Sequence, residues 1–286
     1  MSLAAQSPQA VWSQSVDDLR CLACDGELAP SEPALACHCC GAVYPFRDDV
    51  LIVRDQPAED NRIARDFYNS TLWPKFRFWE WFFFIGQGGE RRARNVILRH
   101  LPLDETGSRL TRPFKLLDVA IGDGAYLGWL PADWRITGID VSAMQLASCR
   151  RRNPVRPLRL ILGEAEALPF RAQRFDAVLS IGGFNHFSDP EAALREMVRV
   201  VPSGAPIVIS DELPDLTERM LGRKLGLPGL DRWVVARLMN LGYEFTDLVE
   251  RHKHLNIAEI GKRVLKDCRY EVIWRGGGYL MTGFAP

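Results

Sequence analysis

The chain has 286 residues, 47% hydrophobic and 25% charged, enough for one main domain and a small companion. Its 36 acidic residues balance 36 basic ones, so the positive excess of a dedicated nucleic-acid binder is missing. No run of about 20 apolar residues offers a transmembrane helix, and residues 1–14 lack the pattern of a secretory signal, so a cytoplasmic location is the expectation.

Residues 1–16 read as a disordered leader. Residues 17–55 form the first module. In it, Cys21-Leu22-Ala23-Cys24 is followed, after twelve intervening residues, by Cys37-His38-Cys39-Cys40. Two Cys-x-x-Cys pairs at this separation place four thiolates on facing turns, the ligand set of tetrahedral structural zinc. Cys21, Cys24, Cys37 and Cys40 are the expected ligands, with Cys39 the substitute in a shifted register. So short a segment buries too little apolar surface to fold without a staple, and disulfides are rare in a reducing compartment. Residues 1–60 hold ten Asp or Glu against three Arg and no Lys. Such a module repels a phosphate backbone. It is read as a docking or lid-like element over the main domain.

Residues 56–109 supply a polar linker and an aromatic helical segment, expected to be a substrate lid. From Leu72 to Ile85, rings fall on every helical face, more than one buried stripe accommodates. The segment is either a helix wedged between the modules or the wall of a pocket for an apolar substrate. In the second reading Tyr68 and Trp73 touch substrate. Contact with a membrane surface is a third reading, since Lys75 and Arg77 flank the rings. Glu90 to Leu101 is a further helix, with Arg91, Arg92, Arg94 and Arg99 read as its exposed face.

Residues 110–286 form the main domain. Its key stretch is Leu116-Leu117-Asp118-Val119-Ala120-Ile121-Gly122-Asp123-Gly124. Eighteen residues after Gly122, Asp140 closes a second apolar run. The spacing predicts a strand, a glycine turn, a helix, and a strand ending in a ribose-binding acid. Third and fourth strands follow at 158–162 and 175–180, and a fifth at 207–212. A Gly- and Pro-rich insertion at 213–231 is expected to cap the site. Tyr243 to Glu250 is predicted as the sixth strand, and a hairpin of 270–274 with 279–284 closes the sheet. Asn185 and His186 follow the fourth strand, where open α/β sheets place ligands. Asn185 is a candidate substrate contact. His186 is a candidate general base, or it orders its loop through a hydrogen bond. His254 is a lesser base candidate; with His252 it has the i, i+2 spacing of one strand face.

The order of these motifs resembles the class I S-adenosylmethionine-dependent methyltransferases, in particular the branch of the ubiquinone and menaquinone methyltransferases, over roughly residues 110–212. The resemblance implies an α/β fold, with a seven-stranded, mostly parallel Rossmann-like sheet whose last strand is antiparallel. The family loop Asp-x-Gly-x-Gly-x-Gly stands here at Asp118 to Gly124, with Ala120 in place of the first glycine. S-adenosylmethionine is the implied cofactor. The resemblance places it against Asp118, Ala120, Gly122 and Gly124, with Asp140 on the ribose. Val141, and Met144 or Gln145, would lie beside the adenine, and Glu164-Ala165 would contact it. Ser180 ends the strand whose tip faces the transferring methyl. The cysteine module resembles the zinc ribbons of ribosomal-RNA guanine-N1 methyltransferases and of small methyltransferase-partner proteins. The implied activity is O- or C-methylation of an apolar aromatic, quinone-like or polyketide-like small molecule, by a monomer or homodimer. Base N-methylation of ribosomal RNA or tRNA is the alternative, which the charge opposes. Non-methylating chemistry on the bound cofactor, such as a cyclisation, is another.

Overall fold

A computed structural model describes residues 12, 16–103, 112–215 and 225–286. The expected leader therefore lies almost wholly outside the described residues, as does part of the 213–231 insertion.

Eleven strands build one mixed sheet. Four come from the cysteine module: β1 (Leu28–Ser31), β2 (Ala34–Cys37), β3 (Val43–Arg47) and β4 (Val50–Ile52). The main domain adds β5 (Lys115–Val119), β6 (Arg135–Asp140), β7 (Leu158–Leu162), β8 (Ala177–Ile181) and β9 (Pro206–Glu212), then β10 (Lys266–Ile273) and β11 (Gly278–Phe284). The order is β1-β2-β3-β4-β7-β6-β5-β8-β9-β11-β10. Strands β5 to β9 pair in parallel, and β11 is antiparallel to both β9 and β10. β7 and β8 are buried along their whole length, as parallel strands covered on both faces must be.

Two expectations need correction here. Seven strands are expected and eleven are found, because the cysteine module joins the same sheet. β4 runs parallel to β7, with Val50 opposite Leu160 and Ile52 opposite Leu162. Without β4, the edge of β7 would leave a row of backbone donors and acceptors unpaired. The second correction concerns Tyr243 to Glu250, which is helical. Its apolar residues Phe245, Leu248 and Val249 recur at three and four positions and pack on one cluster, the period of a helix and not of a strand. The sixth strand of the main domain is β10.

Among the described residues, three helices precede β5: α1 (Glu59–Tyr68), α2 (Leu72–Gly86) and α3 (Glu90–Leu98). Five described helices follow β6: α4 (Ala143–Arg152), α5 (Pro190–Arg199), α6 (Pro228–Trp233), α7 (Tyr243–His252) and α8 (Ile257–Val264). The helix expected after Gly124 is only a 3₁₀ turn, Leu127–Trp129, because Pro131 interrupts the short path to β6. Side-chain caps start α4 and α5, where Ser142 accepts from Gln145 N and Asp189 from Ala192 N. Phe67, Leu241, Phe245 and Leu248 form a separate apolar cluster that binds α1 to α7.

Candidate active site

A cavity of about 520 Å³ opens where the carboxyl ends of β5, β6, β8 and β9 meet α1, α2 and α7. One wall is the glycine loop with Asp140, Val141 and Gln145. Facing it are rings of the helical segment, among them Tyr68, Trp73, Phe76, Trp79 and Phe83. His186, Asp211 and Glu212 provide a polar floor.

The loop turns because its glycines adopt left-handed conformations, φ +57° at Gly122 and +62° at Gly124. A Cβ on Gly124 would meet the Cys149 sulfur at 2.6 Å. Ala120 sits at φ +60°, in the region where an L-residue is strained by about 1 kcal/mol or more. Its methyl is tolerated because Gly183 lies opposite; a Cβ there would approach it to 2.4 Å. Asp140 is buried and accepts from Gly122 N at 2.9 Å and Ser142 N at 2.8 Å. Burial pushes its carboxyl up to about 6, against those hydrogen bonds. The two bonds fix the carboxylate at the cavity edge and leave lone pairs for a pair of hydroxyls. Asp118 lies behind the wall and not on it. Both its oxygens contact the Tyr126 hydroxyl, at 3.0 and 2.9 Å, and burial pushes it up to about 8.

Ala120, Gly122, Val141 and Ala165 line the cavity. Glu164 does not. One of its oxygens accepts from Ala58 N at 2.8 Å and Asn61 Nδ2 at 3.0 Å, and the other pairs with Arg54 Nε at 2.9 Å. It thereby pins the linker to the domain. Of the two residues offered for the adenine, Met144 is exposed and off the wall, whereas Gln145 lines it. The Gln145 Oε1 is buried with no partner. Ser180 is buried with a partnerless hydroxyl, and the wall begins at its neighbour Ile181. Tyr68 and Trp73 both line the cavity, their rings 4.9 Å apart, and Tyr68 donates to Gly182 O at 3.4 Å.

Asn185 lines the floor, but the protein occupies its side chain. Its Nδ2 donates to Glu212 O at 2.6 Å and its Oδ1 accepts from Tyr279 at 3.0 Å. His186 is only 8% exposed, its Nδ1 has no partner, and burial pushes it down to about 4. It is therefore neutral at pH 7. His254 is exposed in the turn beyond the end of α7 and away from the wall. His252 reaches the cavity instead, held between Asn185 O at 2.8 Å and Asp60 Oδ2 at 3.0 Å.

Sequence reasoning missed Asp211, Glu212 and Arg94. The first two stand at the end of an apolar strand just as Asp140 does, and that signal was available. Burial, and Asp211 beside it, push Glu212 up to about 8. Arg94, expected on an exposed face, is buried. It pairs with Glu90 at 3.0 Å and Glu80 at 3.4 Å and lies between the Phe84 and Tyr126 rings.

The four cysteines also come together. Cys21 and Cys40 sulfurs are 3.6 Å apart, Cys24 and Cys37 sulfurs 3.5 Å, and all four lie within 4.8 Å of one another. Ala23 N and Cys39 N donate to the Cys21 and Cys37 sulfurs, each at 3.4 Å. Cys39 itself is exposed and outside the cluster. None of residues 17–55 lines the cavity, so the module is not a lid. It joins the sheet through β4, and its buried Asp18 pairs with Lys115 at 3.2 Å and Arg159 at 3.1 Å.

Residues 117–209 match a family model described as a methyltransferase domain. Over 114 residues the chain is 36% identical to a demethylmenaquinone methyltransferase of Thermotoga maritima, covering 39% of this chain and 49% of that one. It is 30% identical over 103 residues to a fatty-acid O-methyltransferase of Mycolicibacterium smegmatis, covering 35% and 38%. The matched stretch spans about half or less of these curated relatives. Among solved structures, magnesium protoporphyrin IX methyltransferase from Synechocystis PCC 6803 with bound SAH superposes with a TM-score of 0.54 at 13% identity. The superposition covers 80% of this chain and 100% of that one, and what they share is the Rossmann-like fold.

Proposed function

We propose that the protein is an S-adenosylmethionine-dependent methyltransferase whose acceptor is a lipophilic, ring-bearing or quinone-like small molecule. One observation carries this reading: a single cavity joins the glycine loop and Asp140 to a wall of aromatic rings. The residues present fit the cofactor. Asp140 presents a fixed carboxylate for the ribose hydroxyls, and the orphaned Gln145 Oε1 awaits a donor. When bound, the cofactor supplies an electrophilic methyl on a sulfonium.

The remaining work falls to the chain's own side chains, and in-line transfer depends chiefly on alignment. The rings of α1 and α2 orient an apolar acceptor and exclude water, and their faces favour a cation. In this reading His186, neutral at pH 7, accepts the proton of a hydroxyl or an enol. The cysteine cluster has the donor set and closeness of a structural zinc site, which we assign to Cys21, Cys24, Cys37 and Cys40. The acidic cysteine module and the balanced net charge favour a small molecule over RNA. The outer face of α2, with Phe78, Trp81 and Phe82 exposed, is read as the side that meets a lipid surface.

The test offers radiolabelled cofactor to the purified protein with a lipophilic extract and with total RNA. Label in the lipophilic fraction is expected, and label in RNA alone would overturn the reading.

A further inference from the structure

We infer that the cavity floor is a divalent-cation site formed by His186, Asp211 and Glu212. One ring nitrogen of His186 and one oxygen from each carboxylate lie within 4.8 Å of one another. Three donors so close suit a common metal partner.

Three further observations point to a ligand at this place. His186 is 92% buried by its 8% exposure, yet its Nδ1 has no hydrogen-bond partner. An unpaired buried nitrogen costs about 1–3 kcal/mol unless something fills the gap. Asp211 is 2% exposed, and backbone N–H groups orient its oxygens, Oδ2 by Asn185 at 2.8 Å and Oδ1 by Glu212 at 2.9 Å. Such outer bonding is what aims a metal-ligating carboxylate. Finally, two adjacent carboxyl groups share the floor, and among the described residues no lysine or arginine forms an ion pair with either. A cation would bridge the pair.

One imidazole and two carboxylates suit a first-row divalent ion such as Mn²⁺ or Zn²⁺, and three protein ligands leave positions open. The open positions would take one or two oxygens of a hydroxylated or hydroxy-keto acceptor, a class the ring wall alone does not select. This part of the inference rests on the methyl-transfer reading. A hydroxyl bound to the cation ionises more readily, and its proton leaves to solvent. The oxygen–methyl bond then forms as the sulfur–methyl bond breaks. His186 becomes a ligand in this arrangement, and no separate base is required.

The experiment titrates the full-length protein, as purified, with Mn²⁺ and follows free Mn²⁺ by electron paramagnetic resonance. One equivalent is expected to bind below millimolar concentration and to be displaced by Zn²⁺. Both His186→Gln and Glu212→Gln should weaken it at least tenfold, with circular dichroism confirming that each variant is folded. Absence of Mn²⁺ binding and of any zinc beyond the four-cysteine equivalent would overturn the inference, as would undiminished binding in both folded variants. Absence of metal together with a raised melting temperature in Glu212→Gln would identify the floor as a carboxyl pair sharing one proton, and would also overturn it. Calorimetric titration with S-adenosylhomocysteine is run in parallel. Loss of that binding with Mn²⁺ binding intact sinks the methyltransferase reading and leaves the cation site standing.

Discussion

Ala120 and Gly183 form a coupled pair. The methyl of a strained alanine occupies the space that a missing Cβ leaves open on the neighbouring loop. Gly183→Ala forces two carbons to 2.4 Å and should cost roughly 1–3 kcal/mol, as overpacking does. Adding Ala120→Gly removes the clash and should restore at least half of the lost stability, because contacting sites are not additive. Thermal melts of the two single variants and the double variant check this. If the double variant melts where the two single effects sum, the pair is not coupled. The substitution at 120 is plain in the sequence as a departure from a glycine pattern. Its accommodation at 183 is not, since the two residues meet only after β5 and β8 pair. The same limit hid the use of Glu164: its match to an adenine-contacting position is a local signal, whereas Arg54 and Asn61 reach it from a distant segment.

Helix α2 has apolar residues on all sides, and the structure divides them. Trp73, Phe76, Trp79 and Phe83 line the cavity, whereas Phe78, Trp81, Phe82 and Ile85 are half or more exposed. Among the described residues no helix is long and apolar enough to cross a membrane. Replacing Phe78 and Phe82 together by Ser should weaken co-sedimentation with phospholipid vesicles on the order of tenfold or more, given the apolar area withdrawn. The melting temperature should change little, because both rings are more than half exposed. Equal sedimentation of both proteins would refute the lipid-facing reading. The helix itself was legible from its ring density, but its two faces were not, because no polar stripe marks an outside. The reverse holds at 243–250. There the spacing of Phe245, Leu248 and Val249 was legible as helical, and the expected strand order overrode it.

The molecule is tied together by one sheet rather than by two modules joined through a linker. The parallel core was readable because each of its strands is a short apolar run ending at a turn. The union of β4 with β7 was not, since Val50-Leu51-Ile52 carries no mark of its partner. Loss of the zinc proposed for the four cysteines should therefore reach the core. Cys24→Ser is expected to lower the melting temperature on the order of 10 °C, given several kcal/mol of coupled metal binding. Calorimetry should show a single transition, and two separate transitions would show that the cysteine module unfolds independently.

The same pairing bears on how the chain is made. Val50 and Leu160 are neighbours in the sheet although they stand 110 positions apart. During synthesis the amino-terminal module must wait, with the open side of β4 unprotected, until β7 leaves the ribosome. A contact of such long range closes slowly, and an unpaired strand edge invites association with other nascent chains. Heterologous production should accordingly favour slow expression at low temperature with zinc supplied, so that the module is folded before its partner strand arrives.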